Sequence, residues 1–438
     1  MYKRCAKITF YRLLTMKWLL GLFLCICATQ ATVRRSPHAD YVEELYRLDA
    51  QGSRYSTNVT EDALLDIVGL ITKYGYPVEV HKVVTEDGYI LEMQRIPHGR
   101  DQNNRPDPRK PAVLVMHGLF ASAADWVLMG PGLGLAYILA EAGYDVWLGN
   151  ARGTYYSRAH TKLDPDNDSE FWKFSWEEIG TRDLPAMIDY TLKVAGKRRL
   201  HYIGHSQGTT VFWAMGSLRP EYNSKIIAMQ AYAPVAYLEF NANRLLKLIA
   251  PHANSIEALT SLIGINELFG RSDFFTNVGM RFCADGVFFQ AMCTNMLFAF
   301  AGRSEDMHNA TMLPVKLGHT PAGIAVRQIA HYGQLINNNF FRRYDHGRLK
   351  NWRVYRSFTP PRYDLSLITA PVFLHYVDDD IFADVRDVRK LQIELGRPVG
   401  MFRVPHATFS HLDFMWGSGA KELLYDRTIQ IMRSLGDE

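Results

Sequence analysis

Leu200-His201-Tyr202-Ile203-Gly204-His205-Ser206-Gln207-Gly208-Thr209-Thr210-Val211-Phe212-Trp213-Ala214-Met215 carries the decisive reading of this chain. An apolar run meets a Gly-x-Ser-x-Gly turn, and an apolar segment of helical character follows. The glycines let the backbone reverse sharply enough to present the serine hydroxyl at the tip of the turn. By composition alone, roughly one chain in seven of this length would contain such a pattern. Its weight therefore comes from the strand-turn-helix setting and from what surrounds it.

Working outward, apolar runs recur. Ala112–Met116, Asp145–Leu148, Ile226–Tyr232, Val372–Tyr376 and Met401–Val404 read, with Leu200–Ile203, as strands buried on both faces. Helical patterns fall between several of them, at Leu133–Ala142 and Asp183–Ala195 for example. This alternation implies an α/β fold with a mostly parallel central sheet covered by helices on both faces. Ahead of it, Ala63–Lys73 has helical spacing, with Thr60 placed to cap it. Val78–Val84 and Tyr89–Ile96 alternate around Thr85-Glu86-Asp87-Gly88 and predict a hairpin. Between Tyr232 and Val372 no clear strand is legible. Residues 241–345 are rich in Phe, Met and Leu, including Phe274, Phe275, Phe282, Phe288, Phe289, Met292, Met296, Leu297, Phe298 and Phe300. This stretch is expected to be a helical cap or lid, inserted between a first core part, 32–240, and a second, 346–438.

In an open α/β sheet, ligands meet the protein beyond the carboxyl ends of the strands. Ser206 follows one strand directly, Asp378-Asp379-Asp380 follows Val372–Tyr376, and His406 and His411 lie beyond Met401–Val404. The chain order Ser, Asp, His is that of α/β-hydrolases. Serine needs an imidazole to take its proton, and the imidazole needs a carboxylate to fix its tautomer. Any of the three aspartates and either histidine satisfies position alone. Oxyanion donors are expected at the N–H of Gln207, just after the serine, and at that of Leu119, in the loop after Ala112–Met116. His117, His205 and Arg152 read as structural groups holding the neighbouring turns.

The remaining features concern the compartment. The chain has 438 residues and a formal net charge of +4. Lys3, Arg4, Lys7, Arg12 and Lys17 precede an apolar run from Trp18 to about Ala28, then small residues through Ala31. This is the pattern of a secretory signal peptide, residues 1–31, with cleavage near 28–31. Its apolar run is too short to span a bilayer, so no transmembrane segment is expected in the mature chain. Met16 stands where a leader of ordinary length would begin. Removing the leader takes away five positive charges and leaves the remainder of the +4 chain at −1, so no basic field points to nucleic acid. Cys5, Cys25 and Cys27 leave with it, and Cys283 and Cys293 remain. Two cysteines ten apart in an oxidising compartment are expected to form one local disulfide. Asn58, Asn167 and Asn309 head glycosylation sequons.

Five motifs make the resemblance specific. His117-Gly118-Leu119-Phe120-Ala121-Ser122-Ala123, Gly143-Tyr144-Asp145-Val146-Trp147-Leu148-Gly149-Asn150-Ala151-Arg152-Gly153 and Gly204–Thr210 resemble, in that order, signatures of the acid lipase family of gastric and lysosomal enzymes. Asp380-Ile381-Phe382-Ala383-Asp384 and His411-Leu412-Asp413-Phe414-Met415-Trp416 complete the set. The resemblance spans about Gly75 to Met432. It implies a triad of Ser206, Asp380 and His411. The family's paired cysteines sit nine apart rather than ten, so the cap loop departs from the pattern.

The resemblance implies a serine lipase, secreted into an extracellular space such as the gut lumen or delivered to lysosomes. It would hydrolyse triacylglycerols or sterol esters at an oil-water interface through an acyl-enzyme on Ser206, without metal or cofactor. Two alternatives share the pattern: a carboxylesterase or acyltransferase for dispersed esters, and a silent lipid-binding protein on the same fold.

Overall fold

The four most apolar runs become the centre of the sheet, because only strands covered on both faces can bury every side chain. In a computed structural model, which describes residues 57–436 apart from 242, 271–272, 284–289 and 305, these are β3 to β6. The leader with Cys5, Cys25 and Cys27, and Phe288 and Phe289 of the insertion, lie outside the described residues. The strands are β1 (Glu79–Val84), β2 (Tyr89–Ile96), β3 (Ala112–Met116), β4 (Asp145–Gly149), β5 (Leu200–His205), β6 (Ile226–Tyr232), β7 (Val372–Tyr376) and β8 (Pro398–Arg403). Their spatial order is β1-β2-β4-β3-β5-β6-β7-β8, and the two-residue strand Ala159–His160 pairs with β2 as a ninth member. All residues of β3, β4, β5 and β6 are buried, whereas the edge strands β1 and β8 are mostly not.

The hairpin β1–β2 is antiparallel, β2 pairs antiparallel with β4 and with Ala159–His160, and every pairing among β3 to β8 is parallel. Parallel neighbours require crossovers, and helices supply them. They include α1 (Leu135–Glu141), α2 (Leu184–Ala195), α3 (Gln207–Leu218) and α4 (Val385–Glu394). The parallel sheet with covering helices expected from the alternation of patterns is therefore present.

Three local expectations are corrected. The helix expected at Ala63–Lys73 is two helices, Thr57–Leu64 and Ile67–Lys73. Asp66 breaks the run by accepting the Gly69 N–H at 2.7 Å as the N-cap of the second, while Thr60 lies inside the first and caps nothing. The last strand begins at Pro398 rather than Met401, since an edge strand tolerates proline and need not be continuously apolar. The long insertion is helical, with elements such as Ala253–Leu262, Asp273–Phe282, Gln290–Ala301 and Val326–Asn338. It also holds a two-stranded pairing, Glu267–Leu268 with Ile324–Ala325, too short to leave an alternation in the sequence. Cys283 and Cys293 are joined in a disulfide. Among the described residues, no helix is long and apolar enough to cross a membrane.

Burial of histidines gives the fold a predicted pH dependence. His117, His201, His205, His331 and His375 are all at most 2% exposed. Burial lowers His117 and His201 to about 4, and His205, His331 and His375 to about 3. In the unfolded chain a histidine titrates near 6.5. Below that pH the unfolded chain takes up protons that the folded chain refuses, so stability falls as pH falls. Asp125 and Asp387, raised by burial to about 6, act in the opposite sense over the same window. His308 and His346, lowered by burial to about 4, add to the loss, while Glu92, Glu177, Asp183, Glu267 and Asp413, raised by burial, side with the two aspartates. The seven histidines begin to act near 6.5, before Asp125 and Asp387 at about 6, and so set a falling sign at the upper end of the window. Thermal unfolding measured from pH 7 to pH 4 should show a falling midpoint below about 6.5. A midpoint that is flat or rises would show that these histidines are not held neutral.

Candidate active site

Ser206 stands between β5 and α3 with φ +52° and ψ −114°, a conformation that costs a non-glycine residue on the order of 1–3 kcal/mol. Its surroundings hold it there. The Ser206 N–H donates to the Tyr232 carbonyl at 3.0 Å, and its own carbonyl accepts the Thr209 N–H at 2.9 Å. The Thr209 hydroxyl also donates to that carbonyl at 2.6 Å while accepting the Val235 N–H at 2.9 Å. The flanking glycines are steric necessities. A Cβ on Gly208 would lie 2.4 Å from the Met116 carbonyl oxygen, and one on Gly204 2.6 Å from that of Gly208. Strand β3, the turn and α3 thus meet backbone to backbone.

The structure brings Ser206, His411 and Asp380 together. The Ser206 hydroxyl donates to His411 Nε2 at 2.9 Å. His411 Nδ1 faces both carboxylate oxygens of Asp380, at 2.9 and 2.8 Å. Asp380 and His411 are each 4% exposed. Burial opposes ionisation of Asp380, but His411 and the N–H groups of Ala383 and Phe382 outweigh it and hold the carboxyl below its usual range. Asp378 and Asp379 point elsewhere: both are exposed, and Asp378 pairs with Arg403 at 2.6 Å. Among the described residues, the His406 ring makes only long hydrogen bonds, at 3.4 Å, to Thr408 in its own loop. A hydroxyl so placed can pass its proton to the imidazole as it attacks an acyl carbon, and the buried carboxylate stabilises the imidazolium.

The loop after β3 runs against this turn. A Cβ on Gly118 would stand 3.2 Å from Ser206 Cβ and 3.1 Å from His205 Nδ1. Leu119 follows Gly118 directly, and Gln207 opens α3, where an N–H has no partner within its helix. Gln207 and the loop carrying Leu119 therefore adjoin the serine turn. His117 Nε2 accepts the Ala151 N–H at 3.1 Å, so its Nδ1 carries the proton that meets the Gly118 carbonyl at 2.8 Å. Arg152 is buried and forks between Asp183 and Asp87, tying the β1–β2 turn to the start of α2.

Three contacts here were not anticipated from the sequence. His205 Nε2 donates to the His411 carbonyl at 2.8 Å, fixing the backbone that carries the imidazole. Asp413 accepts the Ser410 N–H at 2.6 Å, closing the turn around His411. Tyr332 of the insertion donates to the Thr210 hydroxyl at 3.1 Å, one turn of helix from Ser206. The Asp413 contact alone had a cue, since a carboxylate three residues after a serine is a local capping pattern. Among the described residues, no group of three or more His, Cys, Asp or Glu side chains is placed to hold a metal ion.

A doubly covered parallel sheet with a strained serine at a strand-helix turn defines an α/β-hydrolase. Residues 111–392 match the α/β-hydrolase fold family, and residues 67–130 match its partial lipase region. Lipase 1 of Drosophila melanogaster is 44% identical over 379 residues, 86% of this chain and 81% of that protein. Gastric triacylglycerol lipase of Bos taurus is 36% identical over 374 residues, 85% of this chain and 92% of that protein. Lipase member K of Homo sapiens is 35% identical over 389 residues, covering 89% and 94% respectively. The chain belongs to the acid lipase family and is an ester-hydrolysing enzyme.

The backbone contact behind Ser206 yields a contrast between two glycines. Gly208→Ala must displace the β3 carbonyl or the turn, and is expected to cost about 2–3 kcal/mol or more. It should also abolish labelling of Ser206 by a fluorophosphonate probe. Gly196→Ala meets open space at φ +65° and should cost about 1 kcal/mol with labelling intact. Melting temperature and labelling rate, measured on both variants, check this; normal labelling of Gly208→Ala would refute the close-contact account.

Proposed function

We propose that this enzyme is a serine lipase of the secretory pathway, hydrolysing neutral lipid esters through an acyl-enzyme on Ser206. The observation that carries the reading is the continuous hydrogen-bonded line from the Ser206 hydroxyl through His411 to the buried Asp380 carboxylate. In it, Ser206 is the nucleophile, His411 the base and then the acid toward the leaving alcohol, and Asp380 the group that orients His411. The N–H groups of Leu119 and Gln207 receive the oxyanion.

Triacylglycerols or sterol esters are the proposed substrates. Support comes from the printed name of the bovine relative, gastric triacylglycerol lipase, and from the apolar outer side of the insertion. Leu262 is 84% exposed there, with Leu248, Leu259, Ile263 and Met292 also exposed. Such groups suit a surface that meets oil. Residues 241–345 are proposed as the lid. Two of the contacts beside the site come from it: the Ala322 N–H donates to the Phe120 carbonyl at 2.7 Å, and Gly302 packs near Ser410. Secretion or lysosomal delivery is proposed from the leader, and glycans at Asn58, Asn167 and Asn309 with it. Asn167 and Asn309 are exposed.

Hydrolysis of emulsified triolein and of a sterol oleate, from about pH 4 to 8, tests this reading. Wild-type enzyme should turn over at least one emulsion. Ser206→Ala should lose more than about 10⁴-fold in kcat, and Asp380→Asn a comparable amount. Cleavage of short soluble esters alone would replace the lipase reading with an esterase. Full activity in Ser206→Ala would remove the nucleophile assignment.

A further inference from the structure

The segment that leaves the insertion is unlike the rest of the chain in charge. Between Phe340 and Arg362 lie seven basic residues and one acidic one, Asp345, an excess larger than the net +4 of the whole chain. Arg343 is paired with Glu177, and Arg342 stands 3.6 Å from Asp345. Arg348, Lys350, Arg353, Arg356 and Arg362 are exposed, and none of them pairs with a carboxylate among the described residues. A charge excess of this density, left uncompensated, requires a partner of opposite sign or stands as self-repulsion.

Apolar groups are interleaved with these charges. The helix Arg348–Tyr355 turns Asn351 inward and leaves Leu349 78% exposed and Trp352 47% exposed. At helical spacing Leu349, Trp352, Arg353 and the following Arg356 share one side. Trp352 stacks on Phe358, itself exposed, with ring centroids 5.3 Å apart. Arg348 covers Phe358 at 5.1 Å, and Arg362 covers Phe340 at 3.7 Å. The patch rests on a firm base. Asn351 Nδ2 donates to Asp345 and to the Phe358 carbonyl, and the Tyr355 hydroxyl donates to the Tyr344 carbonyl. The preceding helix, Val326–Asn338, carries the Tyr332 that bonds Thr210.

We propose that this patch is a docking surface for a lipid layer carrying acidic phospholipid. Cations that alternate with exposed Leu and Trp match a headgroup layer, where the charges meet phosphodiesters and the apolar groups enter the acyl boundary. A soluble polyanion would use the charges and leave Leu349, Trp352 and Phe358 in water. The assignment concerns where the enzyme sits on its substrate phase. It does not depend on which ester is cleaved.

The test is co-sedimentation of the purified full chain with vesicles of phosphatidylcholine, with and without roughly a third phosphatidylglycerol, in about 0.1 M salt. Binding is expected on the anionic vesicles and should weaken as salt is raised. The variant Arg348→Gln/Lys350→Gln/Arg353→Gln/Arg356→Gln should bind at least about tenfold more weakly. Leu349→Ser/Trp352→Ser should also bind more weakly, by about threefold or more. Melting temperature and turnover of a soluble short-chain ester should be unchanged in both, which separates docking from folding and from chemistry. Equal binding to vesicles lacking phosphatidylglycerol, or undiminished binding by the fourfold variant, overturns the proposal. Indifference of the Leu349/Trp352 variant, with heparin competing for the protein, would overturn it in favour of a polyanion site.

Discussion

Everything chemical in this molecule depends on three backbones meeting with no room for a side chain between them. β3, the turn at Ser206 and the first turn of α3 approach so closely that Gly204 and Gly208 have no admissible replacement carrying a Cβ. The contact forces Ser206 into a conformation it would not otherwise adopt, and the Tyr232 carbonyl and Thr209 keep it there. The loop carrying Leu119 runs against the same turn, with Gly118 beside Ser206. Strain, nucleophile position and the proposed oxyanion donors are consequences of one packing constraint. The fully buried strands beneath make that constraint rigid, because β3 and β5 are packed on both faces throughout and cannot slide.

The imidazole is held by a second, polar, arrangement. His411 lies on a loop, where backbone position is least determined by regular hydrogen bonding. Asp380 fixes its ring, His205 its carbonyl, and Asp413 the turn just before it. His205 does this as a neutral ring. Burial, and next the neighbouring His411, push it down to about 3. A protonated His205 would place a second positive charge 4.9 Å, ring to ring, from the imidazolium proposed to form on His411 during attack. Burial thus stabilises the folded chain less at low pH and protects the chemistry at the same time. The two effects have one cause, exclusion of water from the ring.

Much of this was legible in the sequence because it depends on local necessity. The glycines around Ser206, the all-apolar strands and the order of the loops after β5, β7 and β8 can be read without knowing the fold's details. Asp380 among three aspartates was not fixed by position. The structure separates them by burial, which follows from the chain turning inward only at the third. Thr60 misled because a good capping residue inside a helix is indistinguishable, in one dimension, from one at its start. Tyr332 was out of reach for a different reason. Its partner Thr210 is 122 residues away, and nothing periodic links them. The basic segment leaves no trace in the net charge, which is a sum over the whole chain. A near-neutral total says nothing about an excess confined to the Phe340–Arg362 stretch.

The placement of that excess separates two tasks that a lipid-hydrolysing enzyme must perform. Ester cleavage needs groups held to within a fraction of an ångström, and these sit where backbone contacts leave no freedom. Engagement of a fluid lipid surface needs no such accuracy. It scales with charge and exposed apolar area, and both tolerate the mobility of long side chains. The five cations that pair with no carboxylate among the described residues, and the exposed Leu349 and Trp352, meet that looser demand on one short helix and its flank. Arg348 and Arg362, each lying over an aromatic ring, limit the cost of the looseness by ordering part of the patch before it meets a surface. The helix is anchored by hydrogen bonds from Asn351 and Tyr355, and the ring contacts of Arg348 and Trp352 stay within the patch. Charge and apolarity on that face can therefore change without disturbing the serine turn, and the choice of lipid phase is physically independent of the chemistry of the bond that is broken.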